Sequence, residues 1–294
     1  MTTEVAILGI GRMGGAMAGT LRRASFPVHV WNRTPERAND VADAAGGVRV
    51  AGSAQDAVGS ADVVISSLAD DAAVTETYTG PGGVAPALRE GQVVLEMSTI
   101  APHTIRDIRP AVEANGAALL DAPVSGSVSL VEQGSLTVMV GGDASALERA
   151  RPVLDALAAK IVHVGPLGTG ATMKLAVNDL IHAIDVGLSE ALVLAEKAGV
   201  DRSVAYDLFA GGAAGAPFVL YKREAFEHPD DTPPAFLLDL MAKDLDLILA
   251  LAREVNARMD QATQNRATVQ AALEAGFSGH DLSAVASYLR ALPR

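Results

Sequence analysis

The chain reads as an α/β fold, an N-terminal doubly wound parallel sheet followed by an all-α C-terminal domain joined through a long helix. Three observations predict it. Short apolar runs alternate with helix-like segments as far as residue 163. A regular glycine pattern, Gly9, Gly11 and Gly14, stands between the first apolar run and the first helix. Beyond residue 164 the apolar spacing is helical throughout, and positions 169–198 hold no proline. The expected domains are therefore 1–163 and 164–294.

At 294 residues with 49% hydrophobic side chains, the chain is long enough for two buried cores. Its net charge of −12, from 35 acidic and 23 basic residues, disfavours a nucleic-acid partner, so an anionic ligand needs a local basic pocket. The absence of cysteine excludes disulfides, thiolate metal sites and a cysteine nucleophile. The six histidines show no paired HxxxH spacing, so no metal site is expected. The first twenty residues are apolar but lack a basic leader and carry Glu4, which fits a buried strand and helix better than a signal peptide. No long uninterrupted apolar run predicts a membrane span, and a cytoplasmic protein is expected.

Residues 5–8 form a run suited to a strand buried on both faces, and it leads into Gly9, Ile10, Gly11, Arg12, Met13 and Gly14. In this GxGxxG order the first glycine makes the tight turn, the second admits a pyrophosphate, and the third lets the helix pack closely, as in a Rossmann domain. The helix amides then face the phosphates. The next strand, 28–31, ends in Asn32, Arg33 and Thr34, where such a domain reads the adenosine ribose. A neutral side chain and a cation there welcome a 2′-phosphate, so NADP is expected over NAD. The competing role for Arg33 is a loop residue beside a helix start marked by Thr34 and Pro35.

A strand at 63–66 with Leu68 just beyond it, and another at 93–97 ending in Ser98 and Thr99, place these residues at strand carboxyl ends, where the nicotinamide half would lie. Ser98 and Thr99 also suit the capping of a helix before Pro102, a role compatible with the first. A strand at 119–124 runs into Ser125, Gly126 and Ser127, whose hydroxyls and backbone amides suit a carboxylate. A strand at 136–140, a helix at 144–157 and a strand at 161–164 complete the half, and regular crossovers predict a doubly wound sheet.

Gly165, Gly168 and Gly170 suit a turn that starts a helix against another surface. Lys174 follows, and Asn178, four residues on, projects from the same helical face. Thr172, Met173, Leu175, Ala176 and Val177 carry no charge and would strip water from an ammonium, suiting it to proton transfer. A solvated surface lysine is the competing reading. The helix should run about 30 residues, or about 45 Å. Further helices are expected at 201–209 and 236–256, the latter carrying Lys243, Asp244 and Asp246, of which Lys243 and Asp244 are either site residues or a solvated face. Segments 211–217 and 228–234 read as loops. Terminal helices at 260–275 and 282–292 read as packing elements and an oligomer surface.

GIGRMG at 9–14, DAPVSGS at 121–127, GTGATMKLAVN at 168–178 and KDLDL at 243–247 occur in an order that resembles the β-hydroxyacid dehydrogenase family. That family includes 3-hydroxyisobutyrate dehydrogenases and glyoxylate/succinic semialdehyde reductases, with a 6-phosphogluconate dehydrogenase-like C-terminal domain. The resemblance implies that Lys174 is the catalytic lysine, that Ser125, Gly126 and Ser127 hold a substrate carboxylate, and that Asn178 orients the substrate. It also implies that Thr99 and Lys243 approach the cofactor, and WNRT at 31–34 looks like the NADP-using branch. The implied protein is an NADP-dependent oxidoreductase interconverting a small 3-hydroxy acid and its semialdehyde or oxo acid, as a homodimer or homotetramer. Segments 128–132 and 211–219 match no single subfamily. The rivals are an imine reductase of the same fold, which usually has Asp or Tyr at the Lys174 position, an oxidative decarboxylase related to 6-phosphogluconate dehydrogenase, and a non-catalytic NADP-binding protein.

Overall fold

The computed structural model describes residues 3–293. The chain divides into two compact units, Met1–Lys174 and Leu175–Arg294. The first unit runs β1 Val5–Leu8, α1 Arg12–Arg23, β2 Val28–Trp31, α2 Pro35–Ala45, β3 Val48–Val50, α3 Ala54–Gly59, β4 Val63–Ser66 and α4 Asp71–Thr79. It continues with β5 Val93–Glu96, α5 Pro102–Glu113, β6 Ala118–Asp121, β7 Val124–Ser125, α6 Val128–Glu132, β8 Leu136–Gly141, α7 Ala144–Leu157, β9 Ala158–Gly165 and the start of α8, Thr169–Lys197.

The strand order is β3-β2-β1-β4-β5-β6-β8-β7, with β9 beside β8. From β3 to β6 every pairing is parallel. The chain changes direction across the sheet between β1 and β4, the switch point at which doubly wound sheets bind ligands. All residues of β1, β4 and β5 are buried, because helices cover both faces. Apolar residues of α1 and α7 close one face, and those of α3, α4 and α5 close the other.

The sheet departs from regular crossovers at its far edge. β8 runs antiparallel to β6 and β7, and β9 returns parallel to β8. The single strand expected at 119–124 is two, β6 and β7, separated by Ala122 and Pro123. Proline cannot donate to a ladder, so the pairing changes there, although its carbonyl still accepts the Met139 N–H at 3.0 Å. Strand β3 and helix α3 are too short to show a period in sequence.

The second unit holds the rest of α8, then α9 Arg202–Gly211, α10 Pro217–Tyr221, α11 Arg223–Glu227, α12 Leu238–Glu254, α13 Asp260–Ala272 and α14 Ala284–Ala291. α8 is 29 residues long. Asp201 starts α9 by accepting the Ser203 and Val204 N–H groups at 2.9 and 3.2 Å. The core is built from Leu192, Tyr206, Phe226, Leu238, Met241, Leu245 and Val269, of which Leu238, Met241 and Leu245 stand three and four apart on one face of α12. A buried ion pair, Lys222 with Asp281, lies within it. Helix α13 ends before the expected boundary, in a wider turn over Leu273–Phe277 that Gly276 closes at φ +96°. Among the described residues no helix is long and apolar enough to cross a membrane.

Candidate active site

The turn from β1 to α1 closes only with glycine. Gly9 has φ +91°, and a side-chain carbon there would sit 2.4 Å from the Ser67 carbonyl oxygen. At Gly14 such a carbon would lie 2.1 Å from the Gly9 oxygen, so α1 could not pack. At Gly11 it would meet nothing within 4 Å, leaving the backbone open to a ligand. Gly11 supplies no side-chain cap to α1, whose first-turn amides therefore suit an anion. Arg12 is exposed, and Met13 packs half-buried on the sheet core.

Ile10 is buried, and its N–H donates to Asn32 Oδ1 at 2.8 Å. Asn32 Nδ2 in turn donates to the Thr34 carbonyl at 2.9 Å. Asn32 thus holds the glycine turn to the end of β2, a task beyond the ribose role read from sequence. Arg33 is exposed, and Thr34 stands at the start of α2 without a side-chain cap bond. Beside them a cavity of about 280 Å³ is lined by Trp31, Asn32, Pro35, Ala38, Ala51 and Gly52, with no carboxylate among its walls. An open glycine turn, an uncapped helix start and an adjoining cavity are the features a dinucleotide requires, and these residues fit one.

At the ends of β4 and β5, the Leu68 N–H donates to Ser98 Oγ at 2.7 Å, and the Ser98 N–H donates to Glu96 Oε1 at 2.8 Å. Thr99 follows, half-buried. Capping of α5 by Ser98 or Thr99 does not occur: the cap residue is Ala101, whose N–H donates to Asp71 Oδ1 at 2.8 Å. The Ser98 hydroxyl ties two strand-end turns together instead.

At the end of β6 lies Asp121, fully buried, whose part in the site nothing in its sequence context marks. Its carboxylate accepts the Gly168 and Ala171 N–H groups at 2.8 and 2.7 Å and so fixes the start of α8. Burial pushes this carboxyl above its usual range, and those two amides oppose the shift. A side-chain carbon at Gly170 would lie 2.5 Å from the Asp121 carbonyl oxygen, so the helix starts directly against the sheet. Ser125 closes β7 half-buried, Gly126 is exposed, and Ser127 Oγ lies 2.7 Å from Ser129 Oγ.

Lys174 is half-buried on α8. The apolar surround expected for it is one-sided: Leu175 is buried, whereas Thr172, Met173 and Ala176 are exposed. The physical reason is the helical period, which sends neighbours in sequence to different faces. One turn on, Asn178 is buried, and its Nδ2 donates to Asp244 Oδ2 at 2.6 Å. Asp244 on α12 is 1% exposed, which rules out the solvated-face reading for it. Lys243 Nζ approaches Asp244 Oδ1 at 3.3 Å, and His182 Nε2 stands 3.8 Å from Asp244 Oδ2. His182 is not marked by any motif, and its spacing of four from Asn178, on the same helical face, is the one signal for it in the sequence.

Residues 4–165 match the family described as the NAD binding domain of 6-phosphogluconate dehydrogenase. Residues 168–289 match the one described as NAD-binding of NADP-dependent 3-hydroxyisobutyrate dehydrogenase. The chain is 34% identical over 291 residues to the NAD-dependent L-serine dehydrogenase of Pseudomonas aeruginosa, covering 96% of each. It is 33% identical over 282 residues to glyoxylate/succinic semialdehyde reductase 1 of Arabidopsis thaliana, again covering 96% of each. The solved structure of Mycobacterium tuberculosis 3-hydroxyisobutyrate dehydrogenase with L-serine superposes with a TM-score of 0.85 at 34% identity, over 99% of this chain and 100% of that one. With the glycine turn, the doubly wound sheet and the helical second unit, these matches make the chain a member of the β-hydroxyacid dehydrogenase family, an oxidoreductase that uses a nicotinamide cofactor.

Proposed function

We propose that the protein is an NADP-dependent dehydrogenase or semialdehyde reductase that interconverts a small 3-hydroxy acid and its semialdehyde or oxo acid. The observation that carries the reading is the pair Lys174 and Asn178, one turn apart on α8, with the Asn178 amide held by Asp244. Lys174 takes the proton of the substrate hydroxyl in oxidation and returns it to the carbonyl oxygen in reduction. Asn178 orients that oxygen, and Asp244 keeps its amide from rotating. Ser125, Gly126 and Ser127 hold the substrate carboxylate through hydroxyls and backbone amides. When bound, the nicotinamide ring supplies or accepts the hydride.

In the same reading Gly9, Ile10, Gly11, Arg12, Met13 and Gly14 hold the pyrophosphate. Arg33 pairs with the 2′-phosphate, since Asn32 and Arg33 set no carboxylate against it at the end of β2. Thr34, Leu68, Ser98, Thr99 and Lys243 complete the cofactor contacts. Residues 1–163 are the NADP-binding domain, which also carries Ser125, Gly126 and Ser127, and residues 164–294 are the helical domain for substrate and for assembly into a homodimer or homotetramer in the cytoplasm. The named relatives act on L-serine, 3-hydroxyisobutyrate, glyoxylate or succinic semialdehyde, all of which bear a carboxylate near a hydroxyl or carbonyl.

The test is turnover of those compounds with NADP(H) and with NAD(H). Turnover of at least one with preference for the phosphorylated cofactor is expected. Tight cofactor binding with no turnover on the whole panel would leave a non-catalytic binding protein in its place.

A further inference from the structure

The ends of β4 and β5 carry a buried hydrogen-bonded chain. Tyr78 on α4, Ser66 closing β4 and Glu96 closing β5 are each at most 1% exposed. Tyr78 Oη lies 2.6 Å from Ser66 Oγ, and the Ser66 hydroxyl meets Glu96 Oε2. On its other side Glu96 Oε1 accepts the Ser98 N–H, and Ser98 Oγ accepts the Leu68 N–H. Only the amide bonds have a fixed direction, because each hydroxyl can turn. With Glu96 ionised, Ser66 donates to it and Tyr78 donates to Ser66. With Glu96 protonated, the acid donates to Ser66 and Ser66 donates to Tyr78. The chain accommodates either state of the acid without moving a heavy atom.

Burial pushes the Glu96 carboxyl up to about 7, against the opposing pull of the Ser66 and Ser98 bonds. Its hydrogen-bond partners are all neutral. Burial keeps the Tyr78 phenol protonated far above that range. The neighbouring carboxyls are committed elsewhere: Asp121, its register partner on β6, accepts the Gly168 and Ala171 amides, and Asp71 on α4 accepts from Ala101 N–H and the Thr104 hydroxyl. Glu96 is therefore the group in this chain that gains or loses a proton near neutrality.

We propose that Glu96 is a positioning residue whose charge follows the redox state of the bound dinucleotide: ionised with the oxidised, cationic nicotinamide and protonated with the reduced, neutral one. This rests on the reading that Leu68, Ser98 and Thr99 border the nicotinamide. A carboxylate wired to that turn attracts a cationic ring and gains nothing from a neutral one. By linkage, affinity for NADP⁺ relative to NADPH rises as pH rises through neutrality, and NADP⁺ binding releases a proton.

The test is the dissociation constants of NADP⁺ and NADPH between about pH 6 and about pH 8, without substrate, by calorimetry in two buffers of different ionisation enthalpy. The phosphates are common to both forms and cancel in the ratio. In the unaltered protein the ratio Kd(NADP⁺)/Kd(NADPH) should fall on the order of tenfold across that range, a coupling of about 1.4 kcal/mol, which is that of two unit charges about 12 Å apart at an effective dielectric of about 20. In Glu96→Gln it should stay flat, since the amide accepts from Ser98 and donates to Ser66 as the neutral acid does. A flat ratio in the unaltered protein with both forms binding would overturn the proposal even if the variant fails to fold, and a sloping ratio in a folded Glu96→Gln would do the same. If neither dinucleotide binds, the cofactor reading falls first and Glu96 with it.

Discussion

Replacing Lys222 with Met removes the cation from a buried carboxylate while keeping a side chain of similar length. The Lys222 and Asp281 side chains are 3% and 7% exposed, and Nζ lies 2.7 Å from both carboxylate oxygens. Asp281 also accepts the Ala235, Phe236 and Ser283 N–H groups at 2.8, 3.2 and 3.1 Å. Burial alone would raise this carboxyl, but the Lys222 ammonium and the amides outweigh it and hold it below the usual carboxylate range. Breaking such a pair strands a charge in a dry interior, which costs about 3–5 kcal/mol. That is a large share of a total stability of about 5–15 kcal/mol. The assay is urea denaturation of Lys222→Met, Asp281→Asn and the double variant. The double variant should lose less than the sum of the singles, because each single change strands the partner's charge and the double variant strands none. The depressed carboxyl also sets the sign with pH: its contribution is present above the usual carboxylate range and is lost as pH falls through the folded value. A loss below about 1 kcal/mol for Lys222→Met, the worth of an exposed pair, would refute the reasoning.

Glu96 has the opposite sign. Its carboxyl is raised from 4.5 to about 7 on folding, so its contribution to stability is full below the lower value and lost as pH climbs through the upper one. Between about pH 5.5 and about pH 8 the unaltered protein should lose about 2 kcal/mol more than Glu96→Gln, read by the same denaturation; equal pH slopes would show that Glu96 does not titrate there. Lys174→Ala should lower turnover by roughly a hundredfold to ten-thousandfold while NADPH binding, followed by fluorescence titration, stays nearly unchanged. A variant keeping most of its turnover removes Lys174 from the chemistry. Arg33→Asp should raise the KM for NADPH more than that for NADH, and equal effects on both would contradict a 2′-phosphate contact.

Sequence by itself determined the features whose physics is local. The strands β1, β2, β4 and β5 were legible because runs covered on both faces are mostly apolar, with His29, Ser66 and Glu96 the polar exceptions. The glycine turn was legible because the Gly9 backbone angle and the Gly14 contact exclude a side chain wherever a strand enters a helix this way. The length of α8 followed from an uninterrupted helical period. Tertiary structure alone decided the split of β6 from β7 and the reversal of β8, since strand partners are chosen by a sheet edge and not by residues within the strand. It alone turned Asp244 inward to Asn178, 66 positions away, and joined Lys222 to Asp281, 59 positions away. It also brought Ser66, Tyr78 and Glu96 into one chain and set Asp121 beneath the start of α8. A charged or polar residue in a helical or strand period looks the same whether it faces water or a partner. The difference is made only when distant elements pack and a buried group must find its hydrogen bonds among whatever the fold has brought beside it.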